Sequence, residues 1–179
     1  IIEGKMEIRI AGTVCESIVD GPGFRYAVFV QGCPHNCEGC HNPETHDFSG
    51  GKVVDTDDLF AECVGDPLHD GVTFSGGEPF CQAKALYYLG KRFKERGLSL
   101  MCYSGWTFEE LLEKAKTEEF VGKLLSITDI LVDGKFVLDK RSLALKFRGS
   151  ANQRIINVPE SLRQKRVRSE EHTSELQSL

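Results

Sequence analysis

An unbroken apolar run, Tyr26-Ala27-Val28-Phe29-Val30, leads through Gln31 and Gly32 into a loop that carries Cys33, Cys37 and Cys40. A strand apolar at every position has both faces buried, as in a sheet covered on both sides. A second run, Gly71-Val72-Thr73-Phe74, ends in Ser75-Gly76-Gly77-Glu78-Pro79. Helices are expected at residues 56–64, with Leu59, Phe60 and Cys63 on one face, and at residues 82–96, with Gly97 as the capping glycine. Thr107-Phe108-Glu109-Glu110 is a capping box that opens a third helix. Further strands are expected at residues 7–14, 98–103, 127–132 and 153–158. Strands alternating with helices predict right-handed βαβ units and a parallel sheet. Ligand loops of such sheets sit at the carboxyl ends of the strands, where both motifs lie. The chain is too short for a full eight-unit barrel, so the expected fold is α/β, a partial, splayed parallel β/α barrel.

The loop Cys33-Pro34-His35-Asn36-Cys37-Glu38-Gly39-Cys40 puts three thiolates within eight residues. Three thiolates can hold three irons of a 4Fe-4S cluster, and the missing fourth ligand leaves one iron open. An open coordination position is typical of catalytic metal sites, a closed one of structural sites. The alternative is zinc, with His35, His41 or His46 as a fourth ligand. A disulfide framework fits poorly: seven cysteines in 179 residues are odd in number and about 4% of the chain, against roughly 8–10% in disulfide scaffolds. In the second motif, Gly76 and Gly77 let backbone approach a ligand closely, Glu78 offers a carboxylate to an ammonium group, and Pro79 fixes the turn. By itself that segment also reads as a plain turn entering a helix.

The length suits one domain with a real core. A net charge of −5 argues against a nucleic-acid partner, and no apolar run reaches the length of a membrane span. No secretory signal opens the chain, and free thiols fit a reducing cytoplasmic setting. Cys15, Cys63, Cys81 and Cys102 are expected as small buried apolar residues. The expected domain is 6–160, with a non-native leader at 1–5 and an artefactual or disordered tail at 168–179.

The Cys-x3-Cys-x2-Cys spacing resembles the signature of the radical S-adenosylmethionine superfamily, and Gly76-Gly77-Glu78 its amino-group-binding segment. Over residues 6–158 the chain resembles the activating enzymes of anaerobic (class III) ribonucleoside-triphosphate reductase. The segments that carry this are Ile18-Val19-Asp20-Gly21-Pro22-Gly23, Phe29-Val30-Gln31-Gly32-Cys33-Pro34-His35, Gly39-Cys40-His41-Asn42-Pro43, Leu131-Val132-Asp133-Gly134-Lys135-Phe136 and Phe147-Arg148-Gly149-Ser150-Ala151-Asn152-Gln153.

The resemblance implies a barrel of the radical S-adenosylmethionine type, with Cys33, Cys37 and Cys40 on the cluster. S-adenosyl-L-methionine is implied on the open iron, against Gly39, Cys40, His41, Gly76 and Gly77. Glu78 is implied near its amino group, acting through the turn or one hydrogen bond. It also implies reduction by a flavodoxin or similar donor. Cleavage of the sulfonium then gives a 5′-deoxyadenosyl radical that takes a hydrogen from a glycine of the reductase. Asp133 and Lys135 match an Asp-x-Lys that related activases place by the carboxylate and a monovalent cation; a turn aspartate and a surface lysine are the plainer alternative. Arg148 is a candidate for the carboxylate or for the partner, and Trp106 for the rim. Gly39 departs from the aromatic residue many members carry before the third cysteine. The competing functions are a small-molecule enzyme resembling 7-carboxy-7-deazaguanine synthase, a pyruvate formate-lyase activating enzyme, and a non-catalytic zinc module.

Overall fold

Short apolar segments with a period of two cannot bury themselves alone, and here seven of them pair into one sheet. The computed structural model describes residues 6–169; the expected leader and residues 170–179 of the expected tail lie outside the described residues. The strands are β1 (Glu7–Ser17), β2 (Arg25–Val30), β3 (Lys52–Asp55), β4 (Gly71–Gly76), β5 (Ser99–Tyr103), β6 (Ile130–Asp133) and β7 (Arg154–Asn157), in the spatial order β3-β1-β2-β4-β5-β6-β7. The central four, β2, β4, β5 and β6, are parallel. The flanks are antiparallel, β1 to both β2 and β3, and β7 to β6. The sheet is therefore mixed, with a parallel core between two edges that do not meet. The helices are α1 (Thr56–Val64), α2 (Ala83–Glu95), α3 (Phe108–Ala115), α4 (Glu119–Ile127) and α5 (Val158–Gln164).

Strand alternation divides the sheet into two unlike faces. Tyr26, Val28, Val30, Val72, Phe74, Leu100, Cys102, Leu131 and Ile156 point one way, into a core shared with Leu59, Leu86, Leu89, Phe93, Phe108, Leu111 and Leu124 of the helices. Burying each such side chain stabilises the fold by about 1.5–3 kcal/mol, so this face holds most of the driving force. The residues of opposite parity do something else. Met101, Ile130, Val132 and Ile155 form a small second cluster, while Phe29, Ser75 and Tyr103 line a cavity.

The amino ends of the parallel strands are plugged. Arg25 is buried and donates to Thr73 Oγ1, Val72 O, Pro22 O, Ser99 Oγ and Ser99 O at 2.8–3.1 Å. Burial lowers its pKa to about 10, while these acceptors keep the guanidinium satisfied. Asp20-Gly21-Pro22-Gly23 crosses above it. Gly21, at φ +142°, leaves no room for a side chain, since a Cβ would lie 2.6 Å from both Arg25 Cδ and Met101 Sδ. A segment that composition marks only as a turn thus closes one end of the inner face.

Several boundaries differ from expectation. The helix expected at 82–96 begins as a 3-10 turn, Pro79–Gln82, and continues as α2. Its end is a Schellman cap, with Gly97 N donating to Lys94 O and Leu98 N to Phe93 O. Thr107 caps α3, its Oγ1 accepting from Glu110 N at 3.1 Å. Ile127, expected to start a strand, ends α4 instead, because Val121, Leu124 and Leu125 set a helical stripe that continues to it. The short strand β3, unexpected from the sequence, pairs with β1. Of the four scattered cysteines, Cys63 and Cys102 are buried as expected, while Cys15 and Cys81 are exposed.

Candidate active site

A cavity of about 570 Å³ opens at the carboxyl ends of the parallel strands, a size within the range of small-molecule sites. Cys33, Cys37, Cys40, His41, Gly76 and Gly77 line it together with Tyr103, Ser104, Gly105, Gly134, Phe136 and Arg148. The cysteine loop is held at its base by backbone bonds, Gly32 N to Thr45 O at 2.7 Å and Cys33 N to His46 O at 3.1 Å. The buried Gln31 amide donates to Glu44 O and Asp47 O and so ties down the returning chain. The Gly-Gly-Glu-Pro turn docks against this base through Gly77 N to Val30 O at 2.9 Å and Glu78 N to Gly32 O at 2.8 Å. A Cβ on Gly77 would lie 2.3 Å from Gly32 O, and one on Gly76, at φ +94°, 2.6 Å from Val30 N. Only glycines allow the two loops to meet here.

The three thiols are unbridged and partly exposed. Burial pushes Cys33 and Cys40 above the ordinary thiol pKa, against the lowering effect of nearby backbone amides. Asn42 N lies 3.4 Å from Cys40 Sγ and is placed to donate to it. Thiols of this kind become thiolates when a metal supplies the positive charge. Among the described residues, no three His, Cys, Asp or Glu side chains are gathered closely enough to hold a single metal ion. Three thiols that face one cavity are a donor set that suits three irons of a cluster.

Glu78 lies behind this wall. Its fully buried carboxylate accepts from His35 Nε2 (2.7 Å), Gly105 N (2.8 Å), Ser104 Oγ (2.9 and 3.1 Å) and Phe80 N (3.0 Å). It joins the cysteine loop, the glycine turn and the end of β5. His35 in turn meets the edge of Trp106, ring centroids 4.7 Å apart. Nothing in the spacing of His35, Glu78 and Ser104 along the chain signals that they meet.

Asp133 is also placed away from the cavity lining. Its side chain is 1% exposed, accepts from Phe108 N at 2.7 Å at the start of α3, and pairs with Arg154 at 2.5–3.0 Å. Lys135 is exposed, and its backbone carbonyl accepts from Asn152 Nδ2. Gly39 is exposed beside Leu138, and the His41 ring lies 5.1 Å from that of Phe136. Arg148 lines the cavity and donates to Gln153 O, while its Nε is buried without a partner, as buried donors seldom are. Asp20, whose carboxylate accepts from Ser17 Oγ, lines the same cavity; no sequence pattern singled it out as a site residue.

The family described as a 4Fe-4S single cluster domain matches residues 19–156. The anaerobic ribonucleoside-triphosphate reductase-activating proteins of Vibrio cholerae and Pasteurella multocida are 35% and 36% identical over 146 residues, 76% of this chain and 89% of each of theirs. The pyruvate formate-lyase-activating enzyme of Listeria monocytogenes is 34% identical over 167 residues, 88% of this chain and 64% of that one. A crystal structure of QueE from Escherichia coli overlays with a TM-score of 0.48 at 18% identity, over 57% of this chain and 54% of that one, a likeness too partial to argue from. With near-full-length relatives of a single name and the iron–sulfur family spanning the cavity-forming residues, this chain belongs to the radical S-adenosylmethionine family of anaerobic ribonucleoside-triphosphate reductase-activating proteins.

Proposed function

We propose that this protein is a glycyl-radical activating enzyme whose protein substrate is an anaerobic ribonucleoside-triphosphate reductase. One observation carries the reading: three thiols from one short loop open on a ligand-sized cavity whose wall also holds an arginine with an unpartnered donor. When bound, a 4Fe-4S cluster and S-adenosyl-L-methionine supply the one-electron sulfonium cleavage whose 5′-deoxyadenosyl product takes a hydrogen from a glycine of the reductase.

The chain's own residues supply binding, orientation and exclusion of water. Cys33, Cys37 and Cys40 would hold a 4Fe-4S cluster through their three thiolates. Gly76 and Gly77 line the cavity, and their missing side chains let their turn close on the base of the cysteine loop. The Arg148 guanidinium is the group suited to the methionine carboxylate, which would satisfy its Nε. His41, held against Phe136, lines the cavity beside the third cysteine, while Gly39 on that cysteine's other side is exposed against Leu138. Glu78 acts on the cofactor only through the walls it joins, since four protein donors occupy its carboxylate. Asp133 and Lys135 have no part in this assignment, because the first is committed to α3 and Arg154.

The test is electron paramagnetic resonance on the reconstituted protein, mixed without oxygen with the reductase, a reductant and S-adenosyl-L-methionine. The expected result is a stable glycyl doublet on the reductase that is lost with Cys37→Ala. The Listeria likeness makes pyruvate formate-lyase the necessary second substrate in the same experiment. A doublet there and none on the reductase would overturn the partner.

A further inference from the structure

We propose that the segment joining β6 to β7, residues 135–148, is the docking surface for a small acidic protein that delivers single electrons to the site. This rests on the functional reading above. The segment holds Lys135, Lys140, Arg141, Lys146 and Arg148 against Asp139 alone, in a chain of net charge −5. Positive charge is dense here, as it is again at residues 163–168, while the molecule as a whole is acidic. Lys135, Lys140 and Arg141 are exposed and, among the described residues, form no ion pair. The cations of the helices are mostly paired, as in Arg92–Asp57, Lys114–Glu118, Lys116–Glu113 and Lys123–Glu119.

Apolar side chains stand among these cations. Leu143 is 93% exposed, and Val137 and Leu138 are 37% and 38% exposed. Exposed apolar side chains on the same segment as exposed cations suit cover by something of opposite sign. Its position identifies what covers it. Leu138 Cδ1 lies 2.7 Å from where a Cβ of Gly39 would be, and Phe136 packs on His41, so the segment lies against the cysteine loop at two points. A carrier seated there adjoins the ligands of the cluster without entering the cavity. A glycine that loses a hydrogen must enter the cavity, but an electron needs only a short path through its wall. One electron leaves the carrier and one enters the cluster; no bond forms or breaks. A carrier that must leave after each electron also suits a small interface steered by charge.

The test measures binding of oxidised flavodoxin, used as the acidic probe, to the reconstituted protein as a function of salt. Lys140→Glu/Arg141→Glu is compared with the parent and with Lys116→Glu/Lys123→Glu, which makes the same charge change just after α3 and on α4. Lys140 and Arg141 are both exposed, and a matched thermal melt establishes that the variant is folded. The expected result is affinity weakened about tenfold or more at low salt, converging with the parent near 0.5 M salt, roughly where charges further than 4–5 Å apart are screened. The control keeps the parent's affinity, and reductase binding is unchanged. Unchanged flavodoxin affinity overturns the proposal, as does loss of reductase binding alone, which would make the segment the reductase's dock. Failure of the functional reading is separately visible, because the parent would then take up no iron, and the proposal would fall with it.

Discussion

Glu78 shows how far a motif residue's chemistry depends on its neighbours. Its sequence context promises a carboxylate free for an ammonium group, yet four protein donors already surround it. Glu78→Gln replaces one acceptor oxygen with an NH2 that faces other donors. The expected cost is about 3 kcal/mol, a fall of roughly 6–12 °C in melting temperature for a chain of this size. Calorimetry of the cluster-free protein checks it; unchanged stability with weakened S-adenosyl-L-methionine binding would return Glu78 to the ligand. The thiols are governed by burial in the same way. With Cys33 and Cys40 raised, the folded chain holds those protons to higher pH than the unfolded chain. Iodoacetamide should therefore label both more slowly in folded cluster-free protein than in denatured chain near about pH 8, the gap closing as pH rises. By the same sign, these two groups make the cluster-free fold lose stability as pH rises above the ordinary thiol pKa. Equal labelling rates in both states would contradict the burial argument.

At the scale of elements, Asp133 is the instructive case. Its position at the end of β6 matches a ligand-side aspartate, but its carboxylate caps α3 through Phe108 N and anchors Arg154. An anion at a helix start is favoured by the unsatisfied amides there. Asp133→Asn should cost about 2–3 kcal/mol by leaving Arg154 underpaired, with S-adenosyl-L-methionine affinity unchanged. Paired calorimetry and ligand titration decide it, and the opposite pattern would make Asp133 a ligand contact. What the sequence makes legible follows from this contrast. The loops after β2 and β4, the capping box at Thr107 and the cap at Gly97 are read from contiguous residues, because their physics is local. The start of α2 and the end of α4 are blurred because apolar residues serve helix and strand alike, and β3 is a short segment specified by its pairing with β1. The meeting of His35, Glu78 and Ser104 spans β2, β4 and β5, and only the parallel register brings it about.

The whole molecule is asymmetric in where its stability resides. Helices bury one face of the sheet in a continuous core, whereas the other face leaves a cavity walled by three separate loops and the 135–148 segment. Those walls are joined mainly through polar contacts, at Glu78 and at the base of the cysteine loop, and so have less to hold them than the core has. A ligand that bridges them stabilises the native state by its binding free energy: about 2.7 kcal/mol at a concentration 100 times its Kd. For a chain of this length that corresponds to a rise of roughly 5–11 °C in melting temperature. S-adenosyl-L-methionine added anaerobically to the cluster-bearing protein should produce a shift of this order, and the Cys37→Ala protein a much smaller one. Arg148→Lys should bind S-adenosyl-L-methionine about tenfold more weakly, because a lysine cannot reproduce the guanidinium's fork on a carboxylate. That loss corresponds to about 1.4 kcal/mol, or roughly 3–6 °C less shift at the same ligand concentration. An undiminished shift in Arg148→Lys would remove the arginine from the ligand and leave its buried Nε to be satisfied by another group.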